Sequence, residues 1–273
     1  MTALATPVRA ERRSGPASAA RQTWQVSLRY LRALLRQPAF IMITLIQPLI
    51  WLLLFGALFK AVTEIPGFHG GSYIDFLTPG VVVMLAVSSA GWTGMGFIED
   101  INSGVMDRML AAPVWRGALN LGSVAQSVVQ IVLQTLLIVL LALALGAHYA
   151  NGVGGVLVLL LVAALLGAIF ASLSNGLGVL TRQRESLIGA VTLVLLPLTF
   201  LSSALMQASL APDWIETVSR FNPVNWAVVA GRSAAMEQFD WGVVAGRVGL
   251  LAGLAALSAW FATRAFAAYQ RSL

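Results

Sequence analysis

From Gly117 to Thr181 the chain carries no Asp, Glu, Lys or Arg. Four further windows share this property: Gln37–Phe59, Phe76–Ile98, Ser186–Pro212 and Val248–Thr263. A helix needs about 20 apolar residues to cross roughly 30 Å of hydrocarbon. A charge at mid-bilayer costs at least about 2.5 kcal/mol. Soluble domains carry about 25% charged residues, whereas this sequence has 10% charged and 58% hydrophobic residues. The pattern predicts an all-α, polytopic membrane protein.

The longest window is about twice one span. Its Gly146-Ala147-His148-Tyr149-Ala150-Asn151-Gly152 segment clusters turn-forming residues, so it divides into two helices. The last window extends back to about Gly242 if Arg247 snorkels along its helix. Six transmembrane helices result, at about 38–59, 76–98, 123–146, 153–180, 187–206 and 242–263. An even number puts both termini on one side. With that side cytoplasmic, Arg9, Arg12, Arg13, Arg21, Arg29, Arg32, Arg36, Arg108, Arg116, Arg182, Arg184, Arg264 and Arg271 lie inside. Only Lys60, Arg220, Arg232 and Arg247 lie outside. The positive-inside rule selects this orientation. The expected location is the cell's inner or plasma membrane, multi-pass, with both termini cytoplasmic.

Residues 1–20 mix Ala, Pro, Ser, Arg and Gly without an apolar run, which predicts a disordered cytoplasmic tail. They lack the apolar centre of a cleavable signal peptide, so the tail is expected to be retained. The absence of cysteine excludes disulfides and thiolate metal sites. His69 and His148 fall in outer loops without acidic ligands at metal spacing, as solvated histidines would. The net charge of +6 lies along the membrane border, which points to anionic headgroups of membrane lipids and not to nucleic acid.

Three segments differ from plain spans, within a permease domain of residues 21–273. In Arg21–Gln37, Trp24, Leu28, Leu31 and Leu35 share one helical face, with Arg21, Arg29, Arg32 and Arg36 on an adjacent arc. This reads as an in-plane amphipathic helix over 21–37, ended by Pro38. It serves as a membrane anchor and, as an elbow, can also touch a cytoplasmic partner. The loop Glu99–Gly117 mixes Glu99, Asp100, Asp107 and Arg108 with Val105, Met106, Met109 and Leu110. Gly104 can break a helix and Pro113 can start or stop one. A short helical hairpin with a protein-binding surface fits this mixture better than an ordinary solvated loop, which would not keep apolar residues beside its charges. In the outer segment Gln207–Trp241, Asn222-Pro223 is a helix start. The helix that follows, about Val224–Met236, is too short to cross and is expected to be re-entrant or interfacial. Trp214, Trp226 and Trp241 suit the headgroup layer.

Asp100–Gly122 reads DINSGVMDRMLAAPVWRGALNLG. Pro197–Arg232 holds a span proline followed by Ser203-Ala204, Pro212-Asp213-Trp214, Asn222-Pro223 and Arg232. Over about residues 21–270 the chain resembles the membrane subunit of an ABC transporter. The family is that of type-2 exporter permeases, which includes actinobacterial antibiotic- and lipid-export permeases. Its cytoplasmic pattern is an acidic residue before a Gly, an acidic–Arg pair, Pro-x-x-Arg and Leu-Gly. Either Glu99 or Asp100 fills the first acidic position.

The resemblance implies export powered by ATP. A phosphate-binding loop needs G-x-x-x-x-G-K-[ST], and the sole lysine, Lys60, is in no such motif. No cofactor or catalytic residue is therefore expected in this chain, which would not be an enzyme. ATP and Mg would be bound by a separate cytoplasmic ABC ATPase, in two copies, beside a second permease copy, identical or related. The coupling hairpin is expected to dock the ATPase through Glu99, Asp100, Met106, Asp107, Arg108, Met109, Leu110, Pro113 and Arg116. By the same resemblance the second and fifth spans line the substrate path, with Ser88, Ser89, Trp92, Thr93, Thr192, Thr199, Ser202 and Ser203 as candidates. A weakly polar route suits amphipathic drugs, antibiotics or lipids. The rival reading is an ATP-independent secondary carrier or channel. Against ion coupling stands the lack of a clear carboxylate within the windows.

The remaining polar and small residues read as structural. Gln126, Gln130 and Gln134 form a stripe of interhelical hydrogen-bonding groups. Ala86, Ala90 and Gly94, and separately Gly249 and Gly253, have the spacing of close helix packing. Pro48 and Pro197 are expected to kink their spans.

Overall fold

The computed structural model describes residues 16–35, 38–58, 73–111, 116–205, 212–235 and 240–271. Among them every regular element is a helix. Helix α1 (Pro16–Leu35) starts inside the tail expected to be disordered. Pro16 suits a first helical turn, and the alanines that follow propagate it. α1 lies along α6 (Arg116–Ala144). Gly122 of α6 makes room there, since a Cβ at that position would meet Val26 Cβ at 2.9 Å.

The chain continues through α2 (Pro38–Leu58) and α3 (Tyr73–Gly91). A turn at Trp92–Gly94 leads into α4 (Met95–Asn102) and then α5 (Val105–Ala111). After α6 comes the turn expected from the Gly/Asn cluster; Gly146 and Gly152 adopt φ of +94° and +52°, which glycine reaches without steric cost. α7 (Gly152–Thr181) and α8 (Arg184–Phe200) follow. A seven-residue helix, α9 (Asp213–Ser219), precedes α10 (Pro223–Ala235) and α11 (Trp241–Arg271). The sequence pattern gave no sign of α9.

Among the described residues four runs are long and apolar enough to cross a membrane: Tyr73–Asn102, Gly117–Ala144, Gly152–Thr181 and Trp241–Tyr269. α2 adds a shorter apolar stretch, Met42–Leu58, and α8 is 17 residues long. The observed helices differ from the expected spans at their ends. α3 begins at Tyr73 and not at 76, α6 begins at Arg116 and not at 123, and α8 ends at Phe200 and not at 206. α11 runs on to Arg271, well past 263.

α7 is the central post, packed by α3, α6, α10 and α11. Small residues allow this. A Cβ on Gly176 would meet the Phe261 ring at 2.8 Å, and one on Gly231 of α10 would meet Leu159 Cδ1 at 2.9 Å. Such close approach is how membrane helices gain packing energy without a hydrophobic driving force. Ala86 and Ala90 are fully buried, in keeping with their small-xxx-small spacing. Gly249 and Gly253 are different: among the described residues nothing comes within 4 Å of a Cβ built at either, so they do not support close packing there.

Two ends of the bundle are distinct. At one, Phe97, Met106, Leu119, Val179, Phe266 and Tyr269 form a small core with Val26 and Met109 at its edge. At the other, α10 covers α3 and α7. Between them, α8 presents an apolar flank, with Leu193 76% exposed and Phe200 65% exposed.

Candidate coupling hairpin and transmembrane path

The α4–α5 hairpin leaves the span at a pinned break. The Gly94 N–H donates to Ser174 Oγ (2.9 Å), which itself donates to the Gly91 carbonyl (2.5 Å). A Cβ on Gly94 would fall onto the Ser174 carbonyl. Only glycine lets α3 and α7 meet there. Ser103 closes α4 by donating its N–H and its Oγ to the Glu99 carbonyl (2.9 and 2.8 Å). Gly104 then turns the chain with φ +66°, as the sequence led one to expect.

The hairpin is tied back to the body on three sides. Arg29 of α1 forms an ion pair with Asp100 (2.9 Å), and its other Nη lies 2.7 Å from Met109 Sδ. Glu99 pairs with Arg184 at the start of α8. Phe97 meets Phe266 of α11 edge-on, with centroids 4.9 Å apart.

Of the residues expected to dock a partner, Glu99 and Arg108 are exposed and Met109 is half-buried. Arg108 donates to the Gly104 carbonyl (3.3 Å) and otherwise faces outward. Met106 is fully buried; it anchors the hairpin and cannot fill a partner's groove in this conformation. Asp100 is buried as well, its charge answered within the chain by Arg29. Pro113 lies outside the described residues, as do the side chains of Asp107, Leu110 and Arg116.

The two sets of path candidates lie on neighbouring helices but in separate grooves. Ser88, Ser89 and Trp92 line a cavity of about 140 Å³ between α2 and α3. Ser89 donates to Gln134 Oε1 (3.1 Å), and Gln134 Nε2 donates to Thr44 Oγ1 (2.6 Å), tying α2, α3 and α6 together. Gln134 thus behaves as the interhelical group expected of it, whereas Gln126, among the described residues, bonds to Gln130 along its own helix. Thr93 and Ser127 share a hydrogen bond (3.0 Å).

On α8, Thr192 lies in an open groove with Leu193, Leu196, Pro197 and Phe200. Thr199 and Ser202 are half-buried, and the Ser202 hydroxyl donates to the Thr199 carbonyl (2.6 Å). Ser203 faces the protein. Its Oγ and N–H both donate to Asn225 Oδ1 of α10 (2.6 and 3.0 Å). Ser203 is therefore a fastening group in this conformation and lines neither groove.

The bend after α8 is held by α10. Asn222 donates to the carbonyls of Leu198 (2.6 Å) and Leu201 (3.1 Å) while its Oδ1 caps the Val224 N–H (2.9 Å). Arg232 donates to the Ser203 carbonyl (2.9 Å) and lies over the Phe76 ring of α3. From the sequence, Arg232 is expected only as an outer-side cation and as one residue of the family pattern. An arginine in so apolar a helix was itself the missed signal. Asp75 in the first turn of α3 accepts the N–H of His148 in the nearby α6–α7 turn (2.8 Å), and burial pushes the Tyr149 phenol up to about 12. No cluster able to hold a metal occurs among the described residues.

A helical bundle with apolar helices of crossing length has the architecture of a multi-pass membrane protein. Residues 21–236 match the model of the ABC-2 type transporter family, and the chain belongs to that family. It is 32% identical over 237 residues to the daunorubicin resistance ABC transporter permease protein DrrB1 of Streptomyces coeruleorubidus, covering 84% of this chain and 80% of that one. It is 28% identical to the putative transport permease ycf38 of Porphyra purpurea, over 76% of this chain and 70% of the relative. The inner membrane transport permease YadH of Escherichia coli K12 is 26% identical, over 68% and 72% of the two chains. The chain is thus a membrane transport permease, and such permeases are not themselves enzymes.

Proposed function

We propose that this chain is the membrane-spanning subunit of an ATP-driven exporter that moves amphipathic drugs, antibiotics or lipids out of the cell. ATP is hydrolysed by two copies of a separate ABC ATPase, and a second permease copy completes the path. The chain crosses the membrane six times, α2 and α8 included, with both termini and the hairpin cytoplasmic. The observation that carries this reading is the family membership together with a hairpin clamped through Asp100 and Glu99 yet exposing Arg108. A lever must be rigidly joined to what it moves and open to what pushes it.

In this mechanism the ATPase pair closes on ATP and pushes the hairpin. The push passes to α1 through Arg29–Asp100 and to α8 through Glu99–Arg184. Antibiotic export is supported by the likeness to the daunorubicin resistance permease. The test is co-expression of the chain with a candidate ABC ATPase, followed by affinity purification and reconstitution. A stable complex that exports an amphipathic dye only with hydrolysable ATP is the expected result. Export without any ATPase would establish the channel or carrier reading in its place.

A further inference from the structure

Gln47 of α2 and Ser88 of α3 both line the 140 Å³ cavity between these helices. Both side chains are exposed, and neither has a hydrogen bond among the described residues. Their depth makes this unusual. With a rise of about 1.5 Å per residue, Gln47 lies about 14 Å along a helix roughly 32 Å long. Ser88 lies about 22 Å into α3, which is roughly 28 Å long. Gln47 therefore sits near mid-bilayer and Ser88 in the second half of its span, where lipid offers no hydrogen bond and an unsatisfied amide or hydroxyl is costly.

The rest of the lining defines what would satisfy them. Trp51 and Trp92 supply indole rings, Trp51 already stacked on Phe55 at 4.6 Å. Val81, Met84, Leu85 and Pro48 add apolar surface. Among the described residues no charged side chain lines the cavity. An ionised ligand would be left uncompensated, whereas an acyl chain would leave the Gln47 amide unpaired. As a measure of size, a dry cavity of about 150 Å³ holds one benzene ring.

We propose that this cavity binds one uncharged aromatic ring, bearing a hydroxyl, of an amphipath dissolved in the bilayer, with Gln47 Oε1 accepting from that hydroxyl. Ser88 is the second polar contact, and Trp51 and Trp92 flank the ring. This deepens the exporter reading and rests on it for the ligand's onward fate. It adds Gln47 and Trp51, which the sequence did not single out, as specificity-determining residues.

The test is photolabelling in lipid nanodiscs of the purified transporter, permease together with its ATPase, without ATP. Two probes are compared, 4-hydroxybenzophenone and benzophenone, with labelled peptides mapped by mass spectrometry. The expected result is hydroxyl-dependent labelling of α2 and α3 that excess 1-naphthol suppresses. Gln47→Leu should lower labelling by the hydroxylated probe about two- to tenfold and leave the parent probe unchanged, the range for one lost hydrogen bond. Ser88→Trp, which fills the space from an exposed position, should abolish both signals. Labelling spread over every lipid-facing helix, or a hydroxyl preference that survives Gln47→Leu, would overturn the proposal. Labelling by the parent probe alone, which has no hydroxyl, would mean that no hydroxyl is read there and would overturn it equally. Because this assay needs no ATP turnover, its failure is distinct from a failure to observe ATP-driven export.

Discussion

The guanidinium of Arg232 lies 3.7 Å from the centroid of the Phe76 ring, joining α10 to α3 face-on. Its Nη2 also reaches the carbonyls of Phe76, Ser203 and Ala204 at 3.4, 2.9 and 3.5 Å. One side chain thus closes three segments distant in sequence. Stacking on a desolvated ring contributes about 2 kcal/mol, and a charged hydrogen bond about 1.5–3 kcal/mol. Arg232→Ala should therefore cost roughly 3 kcal/mol, seen as a lower unfolding midpoint in detergent. Arg232→Lys keeps the charge but loses the planar fork, so it should recover less than half of that loss. A midpoint unchanged in Arg232→Ala would remove the residue from the scaffold.

Ser203 gives a second prediction. Its hydroxyl and N–H converge on Asn225 Oδ1 inside the protein. Ser203→Ala removes one bond and leaves the other, for a loss of about 1 kcal/mol. Ser203→Leu must also displace neighbours and should cost several times more. Thr192→Leu, at an exposed position on α8, should be neutral to stability. Thermal denaturation of the three variants side by side checks the order.

These residues show where the sequence was informative. The charge-free windows and the Gly/Asn cluster located the long helices because lipid penalises charge and turns need special backbone angles. The Asn222-Pro223 pair located α10 for a local reason, since a cap acts within one turn. Burial was not legible. Met106, Met109 and Leu110 looked alike as exposed apolar residues, yet Met106 enters a core with Phe266, far away in the chain. Ser202 and Ser203 are adjacent, but only Ser203 meets Asn225. Such distinctions depend on which helix lies opposite, and no local pattern carries that.

Glycine substitutions at the head of the hairpin should separate packing from propensity. Gly94→Ala drives a Cβ into the Ser174 backbone, which cannot rotate away. A loss of at least about 2 kcal/mol is expected. Two residues on, Gly96 has nothing near its missing Cβ and lies in the helix α4. Gly96→Ala should stabilise by up to about 1 kcal/mol through helix propensity. Similar effects for both variants in a thermal-unfolding assay would refute the close α3–α7 approach.

The surface of the hairpin can be tested apart from its anchor. Arg108 is exposed and, among the described residues, bonds to a carbonyl of its own turn. Arg108→Glu should leave folding and membrane insertion intact while weakening co-purification with the ATPase about tenfold, by reversing a contact charge. Met106→Ala should act the other way round, because it empties a buried site at a cost of about 2–5 kcal/mol. Equal ATPase capture by Arg108→Glu and the parent chain would place docking elsewhere.

The link between hairpin and elbow helix is the last point of test. Arg29 is 44% exposed and Asp100 13% exposed at the side chain. Solvent screens the outer partner, so the pair should contribute only about 1 kcal/mol to stability. Its effect on transport should be larger than its effect on folding. If the hairpin pushes α1 through this contact, Arg29→Ala and Asp100→Ala should each lower ATP-dependent dye efflux several-fold at normal expression. The double variant should be no worse than either single one, since the link is lost once. Exchanging the two residues, Arg29→Asp with Asp100→Arg, should restore part of the activity by rebuilding the pair. A double-mutant cycle on efflux rate reads this coupling directly. Strictly additive losses, with no recovery on exchange, would mean that force reaches α1 by another route.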